Sequence, residues 1–161
     1  SQSGTFVAFT TQTALATTSY ALLNEGGSSV IIKIKEIRIV PFADAAVTGI
    51  VCWGAARRIT AVATARNITA WDVTRFDTAV ALNASVKWYR PLSMTGASNF
   101  IGVQKVSTEE TAFQPFNLVY SYENVGESEF ILRAGEGVGI TTTCVGTPAG
   151  KFGVRVEFKQ I

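Results

Sequence analysis

Closely spaced carboxylates are the first candidates for chemistry in this sequence. Asp72 and Asp77 lie close together, as do Glu127 and Glu129. Two carboxylates that face each other across a cleft can act as the acid and the base of glycoside hydrolysis. The 161 residues include 12 acidic ones, however, so such neighbours are expected by chance. A hydrolase that uses carboxylates alone is therefore the weakest hypothesis for this protein.

Other catalytic groups are scarce because the sequence contains no histidine. Serine and cysteine nucleophiles are normally activated by a histidine base, which excludes Ser-His and Cys-His mechanisms. A zinc site needs three or four cysteine or histidine ligands, whereas Cys52 and Cys144 are the only two cysteines. We therefore predict that the protein is not an enzyme and has no catalytic, cofactor-binding or metal-binding residues.

Cys52 and Cys144 both lie in apolar segments that are typical of strands. Because a free cysteine behaves as a small hydrophobic residue, we predict two buried, unbonded thiols. The alternative is one disulfide that joins an early strand to a late one. The sequence does not open with a basic segment followed by an apolar one, so we expect no secretory signal and synthesis in the cytoplasm.

The glycine-rich run from Gly135 to Gly139 is superficially similar to a nucleotide-binding loop. That fingerprint requires a helix after the glycines, where the phosphate binds. The residues from Ile140 to Val145 are rich in β-branched side chains and predict a strand instead. We therefore interpret the glycines as a tight hairpin turn with Glu136 exposed at its tip.

Three aromatic residues could form a platform on which a sugar or a base stacks, namely Trp71, Trp88 and Tyr89. Trp88 and Tyr89 are adjacent and so lie on opposite faces of a strand, and at least one of them should face away from the chain's own core. A contact with another subunit is one interpretation of this pair. Ligand stacking by all three aromatic residues is the alternative.

Short runs of alternating apolar and polar residues, separated by Gly, Pro, Asn and Ser, occupy most of the sequence. No segment of helical length keeps a period of about 3.6 residues, so the pattern predicts an all-β protein. The spacing favours a single domain over residues 1–161, an antiparallel β-sandwich that is jelly-roll-like. Strands are predicted at residues 4–10, 16–23, 29–42, 46–59, 72–76, 84–89, 100–106, 116–122, 129–133, 137–145 and 151–160.

Two of these strands carry patterns that predict further detail. In the strand 29–42, the isoleucines before and after Lys35-Glu36 differ in parity, which predicts either a β-bulge there or a crossing between two covered faces. The last strand alternates apolar and polar residues and so has one buried face. The residues predicted to be largely buried are Val30, Ile32, Ile34, Ile37, Ile39, Val51, Trp53, Leu118, Tyr120, Ile131, Val154, Val156 and Phe158.

The segment Ser1–Thr10 is apolar on both faces, because Phe6 and Ala8 alternate with Val7 and Phe9. One face can pack on the chain's own core, so the other needs a second cover. We predict that residues 1–10 form an arm or an added strand on a neighbouring subunit. Together with the aromatic pair described above, this gives the candidate interface residues Phe6, Val7, Phe9, Trp88 and Tyr89.

The composition is unusually apolar for a soluble protein. Hydrophobic residues make up 47% and charged residues 16% of the chain, whereas about 25% charged is typical. No apolar run reaches the roughly 20 residues of a membrane helix. A net charge of +2 without a basic stripe argues against direct nucleic-acid binding. We expect the excess of apolar residues to lie in the core and in contacts between subunits.

Three parts of the sequence carry a resemblance to a known family, namely Ile31–Val40 followed by Val51–Ile59, then Arg75–Ala79, and finally Phe130–Val138. They resemble small β-rich virion structural proteins of tailed bacteriophages, of the head decoration or minor capsid type. Phe130–Val138 is similar to the Leu-x-Pro-Gly-Glu-Gly turn common in such proteins, with Ala134 in place of the proline. The resemblance implies a shell component that works as a homo-oligomer, and it implies no catalytic residues.

The leading hypothesis is therefore a bacteriophage capsid or capsid-decorating protein, made in the host cytoplasm and located in the virion. It would form a homo-oligomer, a trimer or larger, and contact other virion proteins, with no direct nucleic-acid contact, no membrane and no cofactor. The alternative is a carbohydrate- or surface-binding β module, such as an adhesin or fibre domain, that uses Trp71, Trp88 and Tyr89.

Overall fold

The computed structural model describes residues 3–12, 18–43, 50–63, 66–67, 73–108, 118–121, 130–145 and 150–161. These segments contain strands and turns and no helix, so the all-β prediction is confirmed, and none of them holds a helix that could cross a membrane. The strands are β1 (Gly4–Gln12), β2 (Thr18–Asn24), β3 (Ile32–Ala43), β4 (Ile50–Ala63), β5 (Arg66–Asn67), β6 (Val73–Arg75), β7 (Val86–Arg90), β8 (Ser93–Thr108), β9 (Leu118–Ser121), β10 (Phe130–Leu132), β11 (Glu136–Val145) and β12 (Gly150–Gln160).

Each predicted strand is present, and its ends differ from the prediction by at most four residues, except that β8 begins seven residues before its predicted start. The pattern does not predict β5, because two residues are too few to show alternation. The segment Thr95–Asn99 has the composition of a turn but lies inside β8. It is accommodated because the pairing of β8 with β4 changes register on both sides of Ile59, so the extra residues enter the sheet as an irregularity.

The strands form two antiparallel sheets that pack face to face. One sheet, here called the β12 sheet, has the order β10-β3-β12-β1-β6, and β9 also pairs with β3. The other, called the β11 sheet, has the order β5-β7-β2-β11-β4-β8. The chain therefore changes sheet at most of its connections.

The pairings are nested, which identifies the topology. Early strands pair with late ones, β1 with β12, β2 with β11, β3 with β9 and β10, and β4 with β8. A long antiparallel hairpin wound around itself gives this nesting, and its two layers are the two sheets of a jelly roll. Apart from the short strands β5 and β6 and the strand β7, which are inserted between β4 and β8, the protein is a jelly-roll β-sandwich. The predicted fold is confirmed.

Side chains from both inner faces fill the space between the sheets. The ring of Phe6 in β1 stacks on Phe158 in β12 with centroids 5.7 Å apart, and Tyr20 in β2 stacks on Trp88 in β7 at 5.8 Å. All four side chains are fully buried. Burial of large apolar and aromatic side chains is the main source of stability in a core of this kind.

Most of the predicted core residues lie in this core. Ile131 is an exception, because its neighbours Phe130 and Leu132 face inward and leave it half-buried. The side chains of Val51, Trp53, Leu118 and Tyr120 lie outside the described residues. The predictions that are confirmed are Val30, Ile32, Ile34, Ile37, Ile39, Val154, Val156 and Phe158.

The predicted irregularity in β3 is a β-bulge. Phe158 pairs with Ile34 and Glu157 pairs with Glu36, so Lys35 has no partner in β12 at this point of the ladder. The extra residue resets the alternation. As a result, the isoleucines on both sides of Lys35 are all buried in the same core.

The turn at Gly135 is not a hairpin, in contrast to the prediction. Gly135 does have a positive φ of 84°, but β10 before it pairs with β3 in the β12 sheet, and β11 after it pairs with β2 and β4 in the β11 sheet. The turn is therefore a corner between the sheets. Local turn chemistry is the same in both cases, since glycine relieves the steric cost of positive φ wherever the strands lead.

The N-terminal strand also differs from its prediction. β1 lies between β12 and β6 inside the chain's own β12 sheet, and its inward side chains Phe6 and Ala8 are fully buried. Residues 4–10 are thus an integral strand rather than an arm that extends to a neighbour. Ser1 and Gln2 lie outside the described residues.

Candidate functional site

Two of the predicted interface residues belong to the core. Phe6 and Trp88 are both fully buried, each in a stacked pair between the sheets. Neither ring can contact a second subunit or a sugar without opening the sandwich. The assignment of Phe6 to the interface, and of Trp88 to the interface or to ligand stacking, is therefore wrong. Trp71 lies outside the described residues.

Tyr89 lies on the outer face of β7, where a carboxylate holds its hydroxyl. The Tyr89 hydroxyl donates a 2.5 Å hydrogen bond to Glu25 Oε1, and Lys87 Nζ lies 3.3 Å from Glu25 Oε2. Burial, the hydrogen bond to Glu25 and the charge of Glu25 together raise the pKa of Tyr89 to about 12. These contacts fix the ring at the edge of the β11 sheet, and Trp88 does not share its surface.

Val7 and Phe9 lie on the outer face of β1. Val7 is buried, whereas Phe9 is 47% exposed and pairs across the ladder with Arg155 of β12. Of the five candidate interface residues, Phe9 is the one with a large apolar surface open to solvent. Its exposure is consistent with a contact role, but it stands beside charged neighbours.

Those neighbours form an ion-pair network on the outer face of the β12 sheet. Glu36 and Glu157 are directly opposite each other in β3 and β12, an arrangement of like charges that is unfavourable by itself. Arg155 lies between them, with Nη1 3.2 Å from Glu36 Oε1 and Nη2 3.2 Å from Glu157 Oε1. Arg38 Nε lies 3.2 Å from the same Glu36 oxygen. The network neutralises this face and leaves it solvated.

The outer face of the β11 sheet is different, because the chain covers it with its own side chains. Gly137 and Gly139 of β11 lie on this face beside Ile59 of β4, which is fully buried. A Cβ on Gly139 would lie 2.5 Å from Met94 Sδ and 2.9 Å from Ile59 Cγ2. The side chain of Met94 therefore packs directly on the glycine backbone.

An arginine secures the corner between the sheets. Arg58 Nη1 donates a 2.7 Å hydrogen bond to the Ile131 carbonyl and lies 3.2 Å from Glu136 Oε2. Its guanidinium carbon is 4.6 Å from the centroid of the Phe130 ring, a cation–π distance. Glu136 Oε1 in turn accepts a 2.8 Å hydrogen bond from the Arg133 amide. Glu136 is thus a structural residue of the corner and not a free tip.

A cleft of about 280 Å³ lies between the edge strand β6 and the strand β7. Its lining includes the apolar side chains of Val73 and Leu82 and the cations of Arg75 and Lys87. Lys87 is already paired with Glu25. Almost all of its lining residues lie between Val73 and Lys87. The sequence did not indicate the cleft, because the alternation pattern does not show that β6 and β7 belong to different sheets.

The remaining candidates for contact are exposed apolar side chains and a sheet edge. Leu92 is 79% exposed and Phe76 is 60% exposed. β8, with 16 residues, is an edge strand of the β11 sheet that pairs with β4 and with no other strand among the described residues. Long edge strands offer unpaired backbone groups to other chains. Within the same residues, no group of three acidic or cysteine side chains is placed to hold a metal ion.

The fold and these surfaces define the class of the protein as a jelly-roll β-sandwich with a filled interior. No protein-family model matches the chain, and no curated protein matches it.

Proposed function

We propose that this protein is a structural component of a bacteriophage virion, a coat or coat-decorating subunit that assembles with copies of itself. The observation that carries the proposal is the nested pairing of early and late strands in two sheets. This jelly-roll topology is the architecture of many viral capsid and lectin domains. A fold alone does not define a function, so the surfaces of the sandwich are the second line of support.

Because the interior is filled with side chains, a binding surface has to lie on the outside of the molecule. Stacked aromatic pairs occupy the space between the sheets, and binding must therefore use an outer face, an edge or a loop. Leu92 and Phe76 offer apolar area there, and β8 offers a long strand edge. Stable subunit interfaces commonly bury about 2,000 Å² or more and resemble a core cut in half. The high apolar fraction of the chain, 47%, fits such a partner surface.

The first test is the mass of the purified protein in solution, measured by size-exclusion chromatography with light scattering. We expect a trimer or a larger assembly whose proportion rises with protein concentration. Electron microscopy of intact particles should then locate the protein in the virion. A monomer at every concentration, or particles that lack the protein, would contradict the proposal.

Single substitutions can locate the contact surface. Leu92→Lys and Phe76→Lys each place a charge on an exposed apolar position and should weaken association if that position is in an interface. Ala134→Lys is the matched control, because it adds the same charge at an exposed turn residue. If both test variants associate like the control, neither surface belongs to the assembly contact.

A carbohydrate-binding module is the second candidate, and the cleft between β6 and β7 is the observation that favours it. A cleft of mixed polar and apolar lining with Arg75 at its wall suits a sugar that carries a carboxylate. A glycan array should then show binding to acidic sugars, and Arg75→Ala should weaken it. An array without binding removes this candidate and leaves the assembly proposal unaffected.

A further inference from the structure

The two cysteines of the chain are cross-strand partners. The Cα atom of Cys144 in β11 pairs with that of Cys52 in β4, and the sequence contains no other cysteine. The flanking pairs, Trp53 with Thr143 and Val51 with Val145, continue the same register. The ladder between β4 and β11 has no register shift along its nine pairs, so the pairing of the cysteines does not depend on a local irregularity.

This register meets the distance requirement for a disulfide. Residues that are directly opposite in an antiparallel ladder have Cα atoms about 4.5 or 5.5 Å apart, depending on the type of pair. A disulfide needs a Cα separation of about 4.4–6.8 Å. Cross-strand partners also lie on the same face of a sheet. Both types of pair therefore meet the Cα requirement.

We propose that Cys52 and Cys144 form an intrachain disulfide that ties β4 to β11 inside the β11 sheet. The side chains of Cys52 and Cys144 lie outside the described residues, so the expectation of two free thiols stays a prediction, to which this inference is the alternative. The inference is independent of the proposed virion function. The two segments are far apart in sequence, and the register of the folded chain places the two Cα atoms opposite each other. Formation of the bond would therefore report that this register is correct.

The oxidation is balanced with a small-molecule disulfide such as oxidised glutathione. The thiolate of one cysteine attacks a glutathione sulfur, which forms a mixed disulfide and releases one glutathione thiolate. The second cysteine thiolate then attacks the protein sulfur of the mixed disulfide and releases the other glutathione thiolate. The two protons lost by the cysteines are taken up by the two glutathiones, so two protein thiols are oxidised and one glutathione disulfide is reduced.

The bond would have a large effect on the unfolded chain, because it closes the loop from Cys52 to Cys144. That loop contains every strand from β5 to β10. Cross-links that close long loops restrict the unfolded ensemble most, although native-state strain can reduce the gain. We expect the oxidised protein to melt roughly 5–15 °C above the reduced protein.

The test uses the full wild-type chain, incubated with oxidised glutathione and compared with a sample kept in reductant. Thiol titration in denaturant should find no thiols in the oxidised sample and two in the reduced sample. The intact mass of the oxidised monomer should be lower by two hydrogen atoms. Trypsin without reduction should release one cross-linked species from the peptides Ile39–Arg57 and Ala134–Lys151, which contain the two cysteines, and reduction should separate them.

Two variants provide the controls. Cys52→Ser and Cys144→Ser lack the second thiolate that resolves the mixed disulfide. After the same treatment each should carry a free thiol or a glutathione adduct, and neither should lose two hydrogen atoms or release the cross-linked peptide. Two thiols, glutathione adducts or cross-linked dimers in the oxidised wild-type sample would each overturn the proposal. An equal melting temperature for oxidised and reduced wild type, with the cross-linked peptide present, would overturn the stabilising role.

Discussion

The outer faces of the two sheets differ in how they meet the solvent. Each sheet buries its inner face in the common core, and its outer face must be either solvated or covered. The β12 sheet presents charged side chains, and Arg155 holds Glu36 and Glu157 in ion pairs. The β11 sheet presents Gly137 and Gly139 and covers them with Met94 and neighbouring side chains.

This difference determines how well each face tolerates substitution. On the charged face, long side chains reach into water, so their contacts are adjustable and individually weak. On the glycine face, backbone and side chains are in direct contact, so an added methyl group has no free space. We therefore expect a small substitution to lower the free energy of unfolding more on the glycine face than on the charged face. Substitutions in the shared core should lower it most.

The largest effect is expected in the shared core. Phe158→Ala removes a fully buried ring that stacks on Phe6, and it should lower the free energy of unfolding by about 3–5 kcal/mol. Lys159→Ala is the matched control, because the next residue of the same strand is exposed and should change stability by less than about 0.5 kcal/mol. Urea denaturation measures both. A larger loss for Lys159→Ala than for Phe158→Ala would mean that the inner and outer faces of β12 are assigned the wrong way round.

The next effect tests the glycine face. A Cβ on Gly137 would lie 2.7 Å from the Leu22 carbonyl oxygen, a backbone atom that cannot move cheaply. Gly137→Ala should therefore destabilise the protein by about 1–3 kcal/mol. Gly26→Ala is the control, since nothing lies within 4 Å of its Cβ position, and it should be neutral or slightly stabilising. Urea denaturation measures the free energy of unfolding of both variants. An unchanged value for Gly137→Ala would show that the face is loosely packed.

A smaller effect is expected on the charged face. Arg155→Ala leaves Glu36 and Glu157 opposite each other without their shared cation, and it should cost about 1 kcal/mol. Adding Glu157→Gln should recover part of the loss, because it removes the repulsion. In about 1 M NaCl the loss should shrink. A cost that is unchanged by salt and by the second substitution would assign the role of Arg155 to packing instead.

The smallest effect concerns the pH dependence at Tyr89. Its pKa is raised from 10.0 in the unfolded reference to about 12 in the folded protein, so the folded state keeps a proton that the unfolded state has lost. The resulting stability is present below pH 10 and is lost as the pH rises through the folded pKa. Burial also raises the pKa of Tyr20, so tyrosinate absorbance should show more than one tyrosine that titrates late, and Tyr89→Phe should remove one of them. An unchanged titration would mean that Glu25 does not hold the hydroxyl in solution.

The positions of the strands were predictable because alternation is a local signal. The last strand shows this best, since the buried side chains of Val154, Val156 and Phe158 follow from the pattern alone. The bulge at Lys35 was also predictable, because a change of parity inside one strand leaves few geometric solutions. The candidate site was predicted poorly by comparison. Trp88 proved to be a core residue, and the cleft beside Arg75 was not indicated at all.

The sequence by itself determined where most of the strands lie, where β3 bulges and which face of β12 is apolar, because these depend on neighbours along the chain. The tertiary structure alone decided that Gly135 turns a corner, that β1 lies inside its own sheet and that Cys52 is opposite Cys144. Alternation defines two faces of a strand, but the residues that cover each face come from distant segments. A local sequence pattern contains no information on this long-range pairing, and the pairing decides which residues form the surfaces of this protein.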